Sequence, residues 1–345
     1  MGQVPSPDPS ATRPRPTLAE VARTASVAES TVSKVLNGRP GVSPALRERI
    51  ERSLQAAGYR RRGGEAAPGA VIELVVERMS SQWSLDVFRG VQQVASEHDT
   101  AIILTERAFR DPGEEWISGV IQRRPNGVIL ALSQLSPADK RQLTVRSIPF
   151  AMIDPVVLPD DDIPAVSSAN WDGGWMATQH LIALGHRRIA AVTMPTTLLY
   201  ARRRLSGYRA ALEEAGIEAD PDLVVTTGGR RADGVAAGLR LLALPRPPSA
   251  IVAGTDVQAI GLVEAARERG LTIPDDVSIV GYDDVPAAEW LSPPLTTIRQ
   301  PVVQMAEQAA RMLFARVSGS QHDISRLTLD VELVVRGSTA PPARP

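Results

Sequence analysis

The chain has 345 residues, 43% of them hydrophobic, and no cysteine, which excludes disulfide bonds and thiolate metal sites. This length exceeds a single compact core, so two or three domains are expected. The net charge of -1 hides an asymmetry, because residues 11–62 carry eleven Lys or Arg against four Glu, a net of +7, and leave -8 on the rest of the chain. A basic segment attached to an acidic body predicts a polyanion as the partner of that segment.

Hydropathy gives no sign of a membrane protein. No apolar run approaches the roughly 20 residues that a bilayer span requires. The N-terminus lacks the charged and then apolar pattern of a secretion signal. We therefore expect a globular, cytoplasmic protein without a membrane partner.

The beginning of the chain divides into a tail and a small helical head. Residues 1–16 are rich in proline and poor in apolar residues, so they predict a disordered tail. Thr17 and Glu20 form a capping box at the start of a first helix. Ser43 is predicted to cap a third helix, with Pro44 as its first residue. Three short helices are therefore predicted within 17–60.

The second helix of the head, in the stretch ESTVSKVLNG at 29–38, is unusually polar for its length. Its apolar positions recur at i, i+3 and i+4 and form one narrow buried edge, Val32, Val35 and Leu36. Its outward side chains are Glu29, Ser30, Ser33, Lys34 and Asn37. Taken alone, this pattern is typical of an ordinary solvated surface helix.

After a linker predicted at 61–70, short apolar runs alternate with amphipathic helical segments. Eight runs have the composition of buried strands, at 71–76, 101–105, 127–132, 150–154, 188–193, 223–227, 250–254 and 277–282. Helical segments are predicted between most of them, at 86–97, 173–184, 205–215, 234–242 and 258–269. Strands that are buried on both faces and separated by helices predict parallel sheets of the doubly wound α/β type, divided here into two lobes.

Ligands of such folds bind beyond the carboxyl ends of the strands, in the cleft between the lobes. Asp154 ends a predicted strand, and Thr255, Asp256 and Asp283 directly follow predicted strands. Carboxylates accept hydrogen bonds from hydroxyl groups, so this set is suited to a sugar. Helix or turn capping is the alternative role for Asp283, and N-capping is the preferred role for Asp256.

Six segments carry a resemblance that covers essentially all of 17–341. The first is the head, above all TVSKVLNG and GYR, and the others are HLIALGHRRIA, RRRLSGYRAALEEAGI, GTDVQAIGL, IPDDVSIVGYDD and SPPLTTIRQP. In this order they resemble the lactose-repressor (LacI/GalR) family of bacterial transcriptional regulators. The resemblance implies an all-α helix-turn-helix domain at 17–60 and a periplasmic-binding-protein-like core at 71–340. The N-lobe of that core would span about 71–167 and 299–325, and the C-lobe about 168–298 and 326–340.

The resemblance gives the polar face of the second helix a role in reading DNA. Base edges would be read by Glu29, Ser30 and Lys34, and phosphates would be contacted by Thr31, Ser33 and Asn37. An α-helix fits the major groove, and side chains near its N-terminus reach the bases. Alternatively, Glu29 interacts only with the helix dipole and Lys34 only neutralises phosphate. Two residues depart from the family, since Ala28 stands where a capping serine is usual and Lys34 replaces an arginine.

The linker departs further from the family, whose hinge helix wedges a leucine into the minor groove. Residues 60–69 contain no leucine, two adjacent glycines and a proline, so that role is not carried over. Arg60, Arg61 and Arg62 are instead predicted to lie along the minor groove or the phosphates. A flexible basic linker is the alternative.

For the cleft, the resemblance implies effector contacts from Asp154, Arg204, Thr255 and Asp283, with Trp83 as an aromatic platform. Trp171 is predicted to close the site, because glycines stand at 228–229, where several family members have an aromatic roof. A surface ion pair is the alternative role for Arg204. The side chains of Trp175 and Trp290 are expected to pack.

Together these patterns predict a homodimeric repressor of carbohydrate-utilisation genes. It would bind a pseudo-palindromic operator of double-stranded DNA, at the nucleoid, and a sugar-like effector would change its affinity. The alternatives are a solute-binding protein without a regulatory role, opposed by the basic head and the missing signal, and a sugar-metabolising enzyme. The sequence contains no phosphate-binding glycine loop with lysine, no metal-ligand spacing and no nucleophile-base pattern. We therefore predict neither enzymatic activity nor a cofactor or metal.

Overall fold

The computed structural model describes residues 16–37, 39–57, 59, 70–79, 81–107, 116–320 and 325–343. The helices in these ranges are α1 (Leu18–Thr24), α2 (Glu29–Leu36), α3 (Pro44–Ala56), α4 (Gln82–Glu97), α5 (Trp116–Arg123), α6 (Pro137–Val145), α7 (Asn170–Ala183), α8 (Leu199–Glu214), α9 (Arg231–Leu242), α10 (Asp256–Glu268), α11 (Ala287–Trp290) and α12 (Val302–Val317). The strands are β1 (Val71–Val76), β2 (Ala101–Glu106), β3 (Gly127–Ala131), β4 (Phe150–Ile153), β5 (Ala165–Ser168), β6 (Ile189–Thr193), β7 (Val224–Thr226), β8 (Ala250–Ala253), β9 (Ser278–Asp283), β10 (Thr296–Arg299), β11 (Arg326–Leu329) and β12 (Glu332–Val334).

The chain forms two compact units, and the first contains α1, α2, α3, α5 and α6. The three head helices share one hydrophobic cluster, to which α2 contributes the predicted edge of Val32, Val35 and Leu36. The predicted capping box is formed, because the Thr17 N–H donates to the Glu20 carboxylate at 2.7 Å and the Glu20 N–H donates to the Thr17 hydroxyl at 3.3 Å. The helix-turn-helix head is thereby confirmed.

The starts of α2 and α3 both lack a side-chain cap. Ala28 occupies the N-cap position of α2 and offers no acceptor, as the sequence predicts. Ser43 does stand at the N-cap of α3, with Pro44 following, but its hydroxyl makes no capping hydrogen bond. The predicted capping by Ser43 is therefore wrong, although the position of the helix start is right.

The second unit contains two six-stranded sheets. The N-lobe sheet has the order β11-β5-β4-β3-β1-β2, and the C-lobe sheet has the order β12-β10-β9-β8-β6-β7. Paired strands are parallel, except that β12 runs antiparallel to β10. All eight predicted strands are present, and β5, β10, β11 and β12 are added to them. The predicted two-lobed α/β architecture is confirmed.

The strand order shows where the chain crosses between the lobes, which is after β5, after β10 and after β11. The sequence assigns 326–340 to the C-lobe, but Arg326 of β11 pairs with Ala165 of β5 in the N-lobe sheet. The correction follows from α12, whose apolar face packs in the N-lobe core and delivers the chain to the edge of that sheet. Only after Leu329 does the chain return to the C-lobe.

Helices α7 and α8 pack unusually closely in the C-lobe. A Cβ atom placed on Gly174 of α7 would lie 2.0 Å from the backbone oxygen of Arg204, and one placed on Gly207 of α8 would lie 2.0 Å from that of Trp171. Both positions therefore require glycine, and this close crossing fixes the backbone of Arg204.

In the ranges that the structure describes, no helix is both long enough and apolar enough to cross a lipid bilayer.

Candidate functional site

Three side chains on the polar face of α2 are open to solvent. Glu29, Ser30 and Lys34 are exposed. The half-buried Asn37, at the other end, donates to the Ser33 hydroxyl at 3.2 Å and accepts a hydrogen bond from Arg124. The side chains predicted to read bases are therefore available to a groove, whereas the side chain of Asn37 is already engaged.

The remaining residues of the predicted DNA contact divide into two groups. Thr31 and Ser33 are half-buried on α2. Arg60, Arg61 and Arg62 lie outside the described residues, so their predicted part in DNA binding stays a prediction.

Arg204, on α8, forms the centre of a buried polar network in the second unit. Its guanidinium is 7% exposed, donates from Nε to Asn170 Oδ1 at 2.8 Å and donates from Nη1 to the backbone oxygen of Gly254 at 2.6 Å. Nη1 also lies 3.8 Å from Asp283 Oδ1. Its Cζ atom lies 3.5 Å from the centroid of the Tyr282 ring, which is a cation–π contact. Because the side chain is buried, the alternative of a surface ion pair is wrong.

The network continues through residues at the crossings between the lobes. The Asn170 amide donates to Asp154 Oδ1 at 3.3 Å and to the backbone oxygen of Ser168 at 3.2 Å. The Ser168 hydroxyl donates to Gln300 Oε1 at 2.7 Å, and Gln300 Nε2 donates to Asp283 Oδ1 at 2.6 Å. The Asp154 carboxylate of the N-lobe and the Asp283 carboxylate of the C-lobe thus belong to one hydrogen-bonded system.

Burial places the protonation of these carboxyl groups near neutral pH. It raises the pKa of Asp154 and of Asp283 to about 6, and the charge of Arg204 opposes both shifts. Burial, and then the charge of Asp283, raises the pKa of Asp256 to about 8, although its carboxylate accepts from Thr297 Oγ1 at 2.6 Å. One buried cation therefore stabilises two ionised acceptors that a hydroxyl-bearing ligand can use.

The backbone is strained where two of these carboxylates leave the sheets. Asp154 has φ +47° and Asp283 has φ +117°, in the region that side chains other than glycine avoid. The neighbouring Asp284, at φ +58°, forms ion pairs with Arg299 and Arg336, each at 2.7 Å. Strained conformations of this kind persist where the surrounding contacts hold them, and they are common at binding sites.

Thr255, and not Asp256, is the N-cap of α10. Thr255 is the N-cap of α10 and accepts from the Gln258 N–H at 3.1 Å, so its hydroxyl is engaged within the chain. Asp256 is fully buried in the first turn and accepts from the Val285 N–H at 2.9 Å. The prediction of Asp256 as the N-cap is therefore wrong, because the backbone turns one residue earlier.

The tryptophans divide between core and surface. Trp83 is 8% exposed and packs in the N-lobe core, so its predicted contact with an effector stays a prediction. Trp171 is 38% exposed at the start of α7, in keeping with a residue that could cover a ligand. Trp175 donates to the Glu214 carboxylate at 2.8 Å. Trp290 is 78% exposed, so the expectation that it packs is wrong.

Asn170 and Gln300 are absent from the predicted site because neither follows one of the eight predicted strands. A signal for Gln300 exists, since it lies in the segment SPPLTTIRQP. Tyr282 belongs to a predicted strand, yet its ring forms one face of the Arg204 pocket. Among the described residues there is no group of three or more side chains that could hold a metal ion.

Comparison with known proteins gives two family matches. Residues 17–62 match the lacI family of bacterial regulatory proteins, and residues 178–339 match a periplasmic binding protein-like domain. The HTH-type transcriptional regulator CelR of Thermobifida fusca is 33% identical over 94% of this chain and 99% of its own length. The HTH-type transcriptional repressor CytR of Escherichia coli K12 is 30% identical over 94% of this chain and 96% of its own length.

Solved structures show the same similarity. The complex of the transcriptional regulator CelR with cellobiose has a TM-score of 0.73 and 32% identity, covering 94% of this chain and 100% of that one. A LacI family transcriptional regulator from Enterococcus faecium with bound ribose has a TM-score of 0.72 and 27% identity, covering 79% and 99% of the two chains.

Proposed function

Because the chain belongs to the lacI family of bacterial regulatory proteins, we propose that it represses carbohydrate-utilisation genes and that a sugar-like effector controls its affinity for operator DNA. The observation that carries this proposal is the pairing of an exposed polar α2 with a buried Arg204 network that joins the two lobes. A ligand that binds this network in one arrangement of the lobes shifts the protein toward that arrangement. A coupling of about 1–3 kcal/mol between the two sites is enough to switch an operator.

The chemistry of the network supports a sugar. Two carboxylates, an amide and a guanidinium provide both acceptors and donors for a polyol, and the exposed Trp171 ring provides an apolar face for its C–H groups. Two similar regulators are known with cellobiose and with ribose bound, which also favours a saccharide. No enzymatic activity is proposed.

We propose that the protein acts in the cytoplasm as a homodimer on a pseudo-palindromic operator. Two heads related by two-fold symmetry would meet two half-sites. The N-lobe sheet offers a surface for the contact, since its edge strand β2 and helix α4 expose Leu104 and Leu85 at 39% and 41%. Sedimentation equilibrium would test the dimer.

The proposed function is tested by selecting bound fragments of the genomic DNA and then measuring affinity for the recovered site with a panel of mono- and oligosaccharides. We expect one palindromic site and at least one saccharide that changes the affinity. Binding without sequence preference, or an affinity that no sugar or other small molecule alters, would contradict the proposal.

Lys34→Ala is expected to weaken binding to the cognate operator by about 1–3 kcal/mol. The reason is that Lys34 projects from the exposed face of α2, where an ammonium group can donate to guanine. Fluorescence anisotropy with cognate and scrambled duplexes measures the effect. Arg52→Ala, which removes an exposed cation from α3, is the control and should weaken both duplexes equally. An equal loss on both duplexes for Lys34→Ala would mean that Lys34 only neutralises phosphate.

Effector affinity is expected to fall as the pH is lowered from 7 to 5. Asp154 and Asp283 have pKa values of about 6, so protons compete with ligand hydroxyls for the same oxygen atoms below that pH. Below about pH 6 the rise of the apparent Kd should approach roughly tenfold per pH unit for each carboxyl that must lose its proton on binding, and it should be much smaller between pH 7 and 6. Calorimetry with the identified sugar measures the apparent Kd at each pH. Asp283→Asn should bind the sugar more weakly, and its Kd should depend less steeply on pH. A wild-type profile that is flat between pH 5 and 7 would exclude ionised carboxylates as acceptors.

A further inference from the structure

Helix α6 ends inside the hydrophobic core of the head. Val145, its last residue, is 1% exposed and belongs to the same cluster as Val35 of α2 and Ile50 of α3. Along the chain, α6 lies between β3 and β4, far from 17–60. A helix that is distant along the chain but belongs to the same compact unit therefore contributes an apolar side chain to the packing of the head.

The next residue, Arg146, adds a buried polar contact to both helices. Its Nη2 donates to the backbone oxygen of Val35, in the last turn of α2, where carbonyl groups lack full intrahelical partners. The same nitrogen lies 3.2 Å from Glu51 Oε1 on α3. The Arg146 and Glu51 side chains are only 4% and 7% exposed, so this ion pair is buried.

Because the ion pair is buried, the contact between the head and α6 depends on both charged side chains. Burial raises the pKa of Glu51, and Arg146 opposes that shift more strongly than the other nearby arginines, Arg47 and Arg141. Removing either partner leaves an uncompensated buried charge. That cost disfavours the docked arrangement, so the contact between the head and α6 requires both side chains.

Two outer contacts surround the buried pair. Arg124 donates to Asn37 Oδ1 at the end of α2, and Arg141 lies 4.0 Å from Glu48 on α3. All of these contacts are to α3 or to the C-terminal end of α2. The outward side chains Glu29, Ser30 and Lys34 of α2 stay exposed in this arrangement.

We propose that the end of α6, Val145 and Arg146, is a docking site for the head of the same chain and holds α2 in the orientation that binds the operator. Arg146 is then a positioning residue for DNA binding rather than a DNA contact. The inference rests on the proposed operator binding for its effect on affinity, but the docking itself can be measured without DNA.

The docking is tested in the full-length protein with two introduced thiols. Because the chain has no cysteine, Glu48→Cys with Arg141→Cys places a unique pair across the contact. A short bismaleimide should give a cross-link within one chain, seen as a monomer on a denaturing gel and located by mass spectrometry. Adding Arg146→Ala should slow the cross-linking roughly tenfold or more, since the docked population falls. A cross-link between chains, or a rate that Arg146→Ala does not change, would overturn the proposal.

The effect of docking on operator affinity is tested with two arginine variants from the same segment of the chain. Arg146→Ala should weaken operator binding roughly tenfold or more, because the head is no longer held in one orientation. Arg141→Ala removes the same charge from α6 but only a long, partly exposed pair, and should change the affinity by less than about twofold. Equal effects of the two variants would overturn the positioning role.

Glu51→Ala removes the other partner of the same ion pair, on α3. It controls for the chance that Arg146→Ala acts through a folding defect around α6. It should weaken binding about as much as Arg146→Ala, and the double variant should be no weaker than either single one, since both break one interaction. Additive losses would contradict a shared contact. If the wild type binds no specific operator, the proposed function fails while the cross-linking result still decides the docking.

Discussion

Arg204→Met is expected to destabilise the protein by about 3–5 kcal/mol at pH 8 and to abolish effector binding. Methionine preserves much of the volume of the side chain but removes the charge that lies between Asp154 and Asp283. It also removes the hydrogen bonds to Asn170 and to the backbone of Gly254, at 2.8 and 2.6 Å. Two buried carboxyl groups would then lose the cation that compensates them most strongly.

The stability lost in Arg204→Met should be smaller at pH 5 than at pH 8. The sign of this pH dependence follows from the pKa values of the two carboxyl groups. Burial already raises the pKa of Asp154 and Asp283 to about 6, and Arg204 is the group that opposes this rise most strongly. A carboxyl whose pKa is higher in the folded state binds its proton more tightly there, so stability falls as the pH rises from the unfolded pKa of about 4 through the folded one. Without Arg204 the folded pKa values rise further, and the loss extends to higher pH.

Urea unfolding at pH 5 and pH 8 measures both effects. Arg202→Met, on the exposed side of the same helix, is the matched control and should stay within about 0.5 kcal/mol of the wild type. If Arg204→Met lowers the free energy of unfolding equally at both pH values, the loss comes from packing and not from charge. If it lowers this free energy no more than the control does, Arg204 is not the centre of the network.

The strands that the sequence predicts are those with a strong local signal. β1 and β3 are almost fully buried runs that are apolar apart from Glu73 in β1, and such runs indicate a strand without knowledge of their neighbours. β5, β10, β11 and β12 are three or four residues long and mix apolar with polar side chains, as in TTIR and RLTL. They are strands because a neighbouring strand pairs with them, which is a tertiary effect.

The residues of the Arg204 network likewise include some that local sequence patterns predict and some that they do not. Asp154 and Asp283 are predictable because they stand at the ends of buried strands, and ligands of parallel α/β sheets bind beyond the carboxyl ends of the strands. Asn170 and Gln300 join them only because the chain crosses between the lobes at those residues. The docking of Arg146 against Glu51 joins segments 95 residues apart, and no periodicity in either segment indicates it. Long-range pairs of this kind cannot be found from local patterns.

Helix propensity and packing make opposite predictions for Gly174→Ala, and packing should prevail. In an open helix, alanine is more stable than glycine by about 1 kcal/mol. At Gly174 the new Cβ would lie 2.0 Å from the backbone oxygen of Arg204, which cannot rotate away as the end of a side chain can. Helix α8 would have to move, so we expect a loss of about 1–3 kcal/mol in the free energy of unfolding.

The same displacement should weaken effector binding, because the Arg204 guanidinium would lose its alignment with Asn170 and Gly254. Urea unfolding and calorimetry with the effector would show both losses together. Gly119→Ala in α5 is the control, since its Cβ would meet only the mobile end of the Arg123 side chain, at 3.0 Å, and should be neutral or slightly stabilising. If Gly174→Ala raised the stability as the control does, the α7–α8 crossing would not determine the position of Arg204.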